Sequence, residues 1–320
     1  MRAVVTGGAG FIGSTLSERL LDEGFEVTVL DSFTDYYDPA RKRANLAAAA
    51  QRPGLDVVEV DLATADLDRL LDGADVVWHL AGQPGVRLSW DGFTTYVECN
   101  VVASQRLLEA AKRVGTPRFV YASSSSVYGN AERYPTLETD RPEPFSPYGV
   151  TKLAAEHLCV LYAANWGVPT VSLRYFTVYG PRQRPDMATH RLIECALHQR
   201  EPFRLYGDGE QERAFTYVGD VVDATYRAGV TPDVPGGTVL NVSGRFQCRL
   251  SDLIELVGRT VGAEVPLDRR PAVAGDAVRT GGSTESIEAL LGWKAATSLE
   301  DGVAAQVDWH RSLRSAEGSV

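Results

Sequence analysis

The chain has 320 residues, enough for one large or two modest domains, and 44% of them are hydrophobic, as in a globular protein. Its 42 acidic and 32 basic residues leave a net charge of −10, which argues against a general nucleic-acid or anionic-membrane surface but not against an anion held by a few local arginines. Four widely spaced cysteines without a C-x-x-C pair, five histidines without an H-E-x-x-H motif and no apolar run of membrane-spanning length argue against a disulfide framework, a metal site and a membrane span, so the cytoplasm is the expected location.

The first element is a short apolar strand over 2–6. It runs into "GGAGFIG", and helical periodicity follows over 12–23. Gly7 suits a tight turn, Gly10 leaves room for a pyrophosphate against the backbone, and Gly13 lets the helix pack closely on the sheet. The helix N-terminus then offers free N–H groups and the positive end of its dipole to phosphates. A second strand over 26–30 ends at Asp31, placed for the hydroxyls of an adenosine ribose. An acid there repels a 2′-phosphate, and neither Ser32 nor Phe33 supplies positive charge, so NAD is expected over NADP. The glycine spacing is G-x-x-G-x-x-G rather than G-x-G-x-x-G.

Further strands over 56–60, 75–80, 117–122 and 169–175 alternate with helical periodicity near 40–50, 64–71, 93–114 and 148–166. Runs such as "DVVWHL" and "PRFVYAS" are short, apolar and rich in β-branched or aromatic residues. They predict an α/β fold, a Rossmann-type parallel sheet flanked by helices on both faces. Two segments here carry chemistry. "YASSSSVYG" (121–129) follows a strand and is dense in hydroxyls. "SPYGVTKLAAEH" (146–157) opens a helix on which Tyr148 and Lys152, four apart, share a face. An ammonium beside a phenol favours the phenolate, which makes Tyr148 a candidate proton acceptor despite an ordinary pKa of about 10. Lys152 can also hold ribose hydroxyls, and Ser124 can hydrogen-bond the same reacting oxygen.

The rhythm changes near residue 180. "YGPRQRPDM" reads as an ordered loop. A helix over 188–199, short strands at 203–206, 215–218 and 238–242, and helices near 249–261, 284–291 and 298–310 follow. Residues 181–310 are therefore expected to form a smaller α+β substrate-binding portion against residues 1–180, with some elements returning to the first domain. The polar stretch 311–320 reads as a flexible tail.

"GGAGFIG", "HLAG" (79–82), "YASSSSVYG", "YGVTK" (148–152), "LRYFTVYGPRQRPDM" (173–187), "LYGDGEQERAFTYVGDVVDA" (205–224) and "LLGWK" (290–294) together resemble the extended short-chain dehydrogenase/reductase family, in its nucleotide-sugar epimerase/dehydratase group. The glycine spacing is that family's own. The resemblance spans nearly the whole chain. It implies NAD along Gly7, Gly10, Phe11, Ile12, Gly13 and Asp31, with Asp61 and Leu62 near adenine and Leu80, Ala81 and Gln83 beside the cofactor path. It implies Tyr148 as base, Lys152 as its partner, Ser124 as the third member, and Tyr175 and Thr177 beside nicotinamide and substrate. Arg213 resembles the arginine that grips the nucleotide diphosphate. Arg270 and Asp276 resemble a late pair used for phosphate and uridine ribose, although "RRPAVAGDA" carries extra residues between them.

The family shares oxidation at sugar C4 as a first step. Its dehydratases carry Asp-Glu just after the catalytic hydroxyl, where this chain has Ser125 and Ser126. Its decarboxylases carry an acid in the same segment, absent here. Within the family the chain looks most like the enzymes that interconvert UDP-glucuronate and UDP-galacturonate, with Arg184 in "QRPDM" matching the arginine near the uronate carboxylate. Arg87 and Arg182 are weaker substrate candidates. The alternatives are another nucleotide sugar, or an NAD-binding protein without turnover. The family often pairs through two long helices, which points to a homodimer through 93–114 and 148–166.

Overall fold

The computed structural model describes residues 1–199, 201–271 and 278–317. The first half alternates β1 (Arg2–Thr6), α1 (Phe11–Asp22), β2 (Glu26–Asp31), α2 (Pro39–Leu46), β3 (Leu55–Glu59), α3 (Leu67–Leu71), β4 (Val76–His79), α4 (Phe93–Tyr96), α5 (Ala103–Val114), β5 (Phe119–Ser124), α6 (Pro147–Trp166) and β6 (Thr170–Tyr175). A π-helical segment, Val97–Val102, joins α4 to α5. There follow β7 (Val178–Tyr179), α7 (Ala188–His198), β8 (Phe203–Tyr206), β9 (Glu212–Ala214), β10 (Thr216–Tyr217), α8 (Val218–Val230), β11 (Thr238–Val242), β12 (Gln247–Arg249), α9 (Leu250–Val261), β13 (Leu267–Arg270), β14 (Arg279–Thr280), α10 (Glu285–Leu291) and α11 (Leu299–Glu317).

Seven of these strands form one parallel sheet in the order β11-β6-β5-β4-β1-β2-β3. All four residues of β4 are buried, as a strand covered on both faces requires. Trp78 shows how close that cover is. Its ring is fully buried and its Nε1 donates to the Thr225 carbonyl of α8 at 2.9 Å. Gly229 faces the same ring, and a Cβ there would collide with it, so α8 lies on the sheet only because residue 229 has no side chain.

Strand order reverses direction between β1 and β4, and this is where doubly wound sheets open a crevice at their C-terminal edge. The turn after β1 and the segment after β4 press together there. Gly7 has φ +68°, and a Cβ on it would lie 2.7 Å from the Ala81 nitrogen. Gly13 opens α1 directly over the Gly7 carbonyl, with no space for a Cβ.

After β6 the chain builds a second core. Leu192, Ile193, Phe203, Leu205, Leu253, Val257, Val303 and Val307 pack together, while β8 pairs with β13 and β9 with β12 and β14. From within this half, β11 returns to the main sheet beside β6. The last helix extends to Glu317, past the expected end at 310. Its apolar stripe ends where it leaves the core, so periodicity is lost although the residues remain good helix formers.

Candidate active site

A cleft opens over the C-terminal ends of the sheet strands. Every residue assigned above to the cofactor lines it, from Gly7–Gly13 through Asp31, Asp61 and Leu62 to Leu80, Ala81, Gln83, Tyr148, Lys152 and Tyr175. At one end Asp31 is buried. Its carboxylate accepts N–H bonds from Phe33 at 2.8 Å and Ala9 at 3.2 Å. Lys42 approaches the same carboxylate at 3.6 Å and donates to Thr34 Oγ1 at 3.2 Å. A cation therefore faces Asp31, although neither Ser32 nor Phe33 supplies it. The charge arrives from one turn into α2, which Asp38 caps and Pro39 opens, rather than from the residues beside Asp31.

The other end is built by β5, β6 and α6. Ser124 ends β5, opposite Tyr175 in the parallel register. Ser146 caps α6 by accepting the Gly149 N–H at 3.1 Å, with Pro147 at the first helical position. That cap brings Tyr148 into the cleft one residue later. Burial raises the Tyr148 pKa, against which a hydrogen bond from Ser124 and the charge of Arg184 pull it down. The groups opposing burial are therefore Ser124 and Arg184, where the sequence had pointed to Lys152. Burial lowers Lys152 itself to about 8, against the pull of Cys159 and Glu156, and its ammonium lies 4.7 Å from the Tyr121 ring centroid.

Several residues in and behind the cleft wall carried no sequence signal. Asn100, in the π-helical segment, accepts the Gln83 N–H at 2.7 Å and donates to the Gln83 carbonyl at 3.2 Å and to Thr151 Oγ1 at 3.0 Å. It thereby ties the segment after β4 to α6. The Tyr96 ring meets the Tyr148 ring edge-on at 6.3 Å, and its hydroxyl donates to the carbonyls of Pro84 and Gly85 at 2.6 and 2.7 Å. Tyr36, Tyr37, Thr34 and Cys99 line the cleft itself.

Of the substrate candidates, Arg184 lines the cleft, and its guanidinium forks onto Asp186 at 3.0 and 3.1 Å. Arg182 instead forks onto Glu18 of α1 at 2.9 and 2.7 Å, anchoring the loop from behind. Ser125 and Ser126 form a short 3-10 turn after β5, and the Thr177 carbonyl accepts the Thr216 N–H at 2.8 Å. Arg87 lies over the Tyr206 ring at 4.8 Å, and Arg270 is Tyr206's partner in the β8–β13 register, so two candidates from distant parts of the chain meet there. Arg270 pairs with Asp268 at 2.8 Å. Arg213 bonds the Glu212 carbonyl at 2.9 Å from β9. Asp276 lies outside the described residues.

Behind the Arg184 loop is a polar cluster that the spacing of the histidines did not suggest. The ligating atoms of His190, Glu194 and His310 lie within 4.8 Å of one another. Gln183 joins it, its side-chain oxygen accepting from the His190 N–H at 2.9 Å and from Gln306 at 2.8 Å. The Arg41 guanidinium lies 3.4 Å from His190 Nε2, where a cation already faces the ring. We read the cluster as a hydrogen-bonded support for the loop.

Comparison with known proteins agrees with this geometry. The family model described as NAD dependent epimerase/dehydratase family matches residues 3–243. A Bacillus subtilis (strain 168) protein named Uncharacterized UDP-glucose epimerase YtcB is 41% identical over 319 residues, covering 99% of this chain and all of that one. The Probable UDP-glucuronate 4-epimerase of Rhizobium meliloti (strain 1021) is 38% identical, covering 97% of each. The crystal structure of UDP-glucuronic acid 4-epimerase from Bacillus cereus, in complex with UDP-glucuronic acid and NAD, superposes with a TM-score of 0.94 at 39% identity, over 98% of this chain and 100% of that one.

Proposed function

The chain belongs to the NAD dependent epimerase/dehydratase family, and we propose that it interconverts UDP-glucuronate and UDP-galacturonate by epimerisation at C4. The observation that carries the substrate is the Arg184 fork in the same cleft as Tyr148. Guanidinium is suited to a planar carboxylate, and a sugar acid brought into the cleft without a partner would be costly.

The residues present fit NAD. Gly7, Gly10 and Gly13 line the cleft where the first turn of α1 begins, a place suited to a pyrophosphate, and Asp31 offers a carboxylate to ribose hydroxyls. When bound, NAD supplies the hydride acceptor and donor at C4. We assign Tyr148 to take the C4 hydroxyl proton and later return it. Ser124 donates to the phenol oxygen and so favours the phenolate, as does the charge of Arg184. Lys152 holds its positive charge within the same cleft, where it can orient ribose hydroxyls. The 4-keto uronic acid is a β-keto acid, which loses CO2 when its C5–carboxylate bond aligns with the carbonyl π system. We assign Arg184, with Thr177, to hold that bond out of alignment. Ser125 and Ser126 offer no carboxylate for elimination across C5 and C6. We assign NAD mainly to residues 1–180 and the nucleotide sugar mainly to 181–310, with Arg87, Arg213 and Arg270 toward the nucleotide.

A UDP-glucose 4-epimerase is the second reading, favoured by the name of the Bacillus subtilis relative and by Asp186, which already neutralises Arg184. Incubation with UDP-glucuronate and with UDP-glucose, followed by NMR of the products, separates them. Turnover of UDP-glucose as fast as of the uronate overturns the proposal.

We also propose a homodimer through α4–α5 and α6. Phe93, Val102, Val150, Leu161 and Trp166 along these segments are exposed apolar side chains, which a helix–helix interface would cover. Leu161→Arg is expected to give a monomer by light scattering. The four cysteines are free, and among the described residues no helix is long and apolar enough to cross a membrane. We place the enzyme in the cytoplasm.

A further inference from the structure

Arg184 reaches the cleft already carrying a carboxylate. Its Nε donates to Asp186 Oδ1 at 3.0 Å and one terminal nitrogen donates to Oδ2 at 3.1 Å, the side-by-side geometry in which guanidinium binds any carboxylate. Asp186 Oδ2 also accepts the Tyr36 hydroxyl at 3.2 Å, and the Arg184 guanidinium lies 5.9 Å from the Tyr36 ring centroid. Tyr36 and Arg184 both line the cleft, and Arg184 is electrostatically coupled to Tyr148.

The backbone beneath is fixed. Arg182 forks onto Glu18, Gln183 Nε2 donates to the Val178 carbonyl at 2.9 Å, and the Met187 N–H donates to the Arg184 carbonyl at 3.1 Å. Side chains can therefore change partner without the loop unfolding. Asp186 is also the more exposed member of the pair, its side chain 39% exposed against 22% for Arg184, so it can turn to water when displaced.

We propose that Asp186 is an internal competitor for the Arg184 fork, a stand-in carboxylate that the sugar acid must displace. This rests on the reading that Arg184 receives the substrate carboxylate. The exchange conserves the fork's two charged hydrogen bonds, because one carboxylate leaves as another arrives. Asp186 thus lowers the affinity for uronate substrate and product alike, and it keeps Arg184 paired in the free enzyme. It determines how tightly a nucleotide-linked acid is held. A neutral sugar cannot make the exchange.

The test is calorimetric binding, with NAD present, of UDP-glucuronate, UDP-glucose and UDP to wild type, Asp186→Asn and Asp186→Ser. Both variants remove the competing charge, and thermal melts establish that each is folded. Freeing a partly exposed fork is expected to tighten UDP-glucuronate about threefold to tenfold, with UDP unchanged. Unchanged or weaker UDP-glucuronate binding in both folded variants overturns the proposal, and so does an equal gain for UDP. Product analysis of wild type judges the substrate reading separately. If wild type turns over UDP-glucose and not the uronate, that reading fails, while the binding comparison still decides whether Asp186 competes for the fork.

Discussion

At the scale of single residues, the two ends of the cleft rest on different balances. At the chemical end, burial works against the phenolate of Tyr148, and the donation from Ser124 and the charge of Arg184 work for it. Tyr148→Phe keeps the ring against Tyr96 and removes the titrating oxygen. Turnover is expected to fall on the order of 10²-fold or more while NAD remains bound, and single-turnover kinetics check it. Near-normal turnover at saturating substrate would reassign the base. At the ribose end, Asp31 repels a 2′-phosphate, but Lys42 stands 3.6 Å from it with its charge already in place. Asp31→Asn therefore does more than remove repulsion, since it releases an ammonium toward the ribose. The ratio of NADP+ to NAD+ affinity is expected to rise about tenfold, the size of one charged hydrogen bond gained. Lys42→Met in the same background should cancel the gain. Were NADP+ binding to stay unchanged in Asp31→Asn, Lys42 would have no part in the selectivity.

At the scale of elements, a buried ion pair fixes how the strands and helix that carry the chemistry meet. Arg174 of β6 forks onto Glu156 of α6 at 3.0 and 2.6 Å, Ser123 of β5 donates to the same carboxylate at 2.6 Å, and Arg174 donates to the Tyr128 hydroxyl at 2.6 Å. Burial works against the Arg174 charge, but Glu156 and Tyr128 more than offset it. Ser123 adjoins Ser124, Arg174 adjoins Tyr175, and Glu156 lies one turn beyond Lys152. The pair thus holds three site residues in register from behind. Glu156→Ala leaves a buried guanidinium without its partner and is expected to cost about 3–5 kcal/mol in denaturant unfolding. A loss below 1 kcal/mol would mean that the pair is dispensable. These elements also mark what a reader of the sequence can and cannot find. The glycine turn, the strand ending at Asp31 and the Tyr148–Lys152 spacing are local patterns, and their residues line the cleft. Lys42 and Asn100 depend on which segments meet in space, whereas Asp186 lies two residues from Arg184 and only its bond with Tyr36 is long-range. Lys42 looks like any polar position on a helix that opens with Pro39. Asn100 acts through a π-helical turn that no periodicity announces, and β11 joins the main sheet only because the chain returns from the second core.

At the scale of the whole molecule, the buried histidines set the response to acid. His79 is fully buried between Thr6 Oγ1 at 2.7 Å and Ser104 Oγ at 2.8 Å, and burial followed by the charge of Lys152 lowers its pKa to about 3. His190 is lowered to about 4, by burial first and then by His310. In the unfolded chain both return to about 6.5. Between those limits the unfolded state binds more protons than the folded one, so stability rises with pH and is lost as pH falls from 6.5 toward 4. Glu194 continues the trend. The hydrogen bond to His310 holds it at about 2 against burial, so its contribution is present above an unfolded value of 4.5 and is lost as pH falls through 4.5 toward 2. The two windows overlap between pH 4.5 and 4. Within its own window each histidine contributes about 1.4 kcal/mol per pH unit. The thermal midpoint is therefore expected to drop steadily from pH 7 to pH 4, with His190→Gln shallower than wild type over pH 6.5 to 4. The same loss would release Gln183 and with it the loop bearing Arg184, so affinity for a nucleotide-linked acid should weaken before the sheet melts. Scanning calorimetry beside ligand binding at each pH checks both parts. A midpoint constant from pH 7 to 5, or a His190→Gln variant as pH-sensitive as wild type, would place the acid response elsewhere than in this support under the loop.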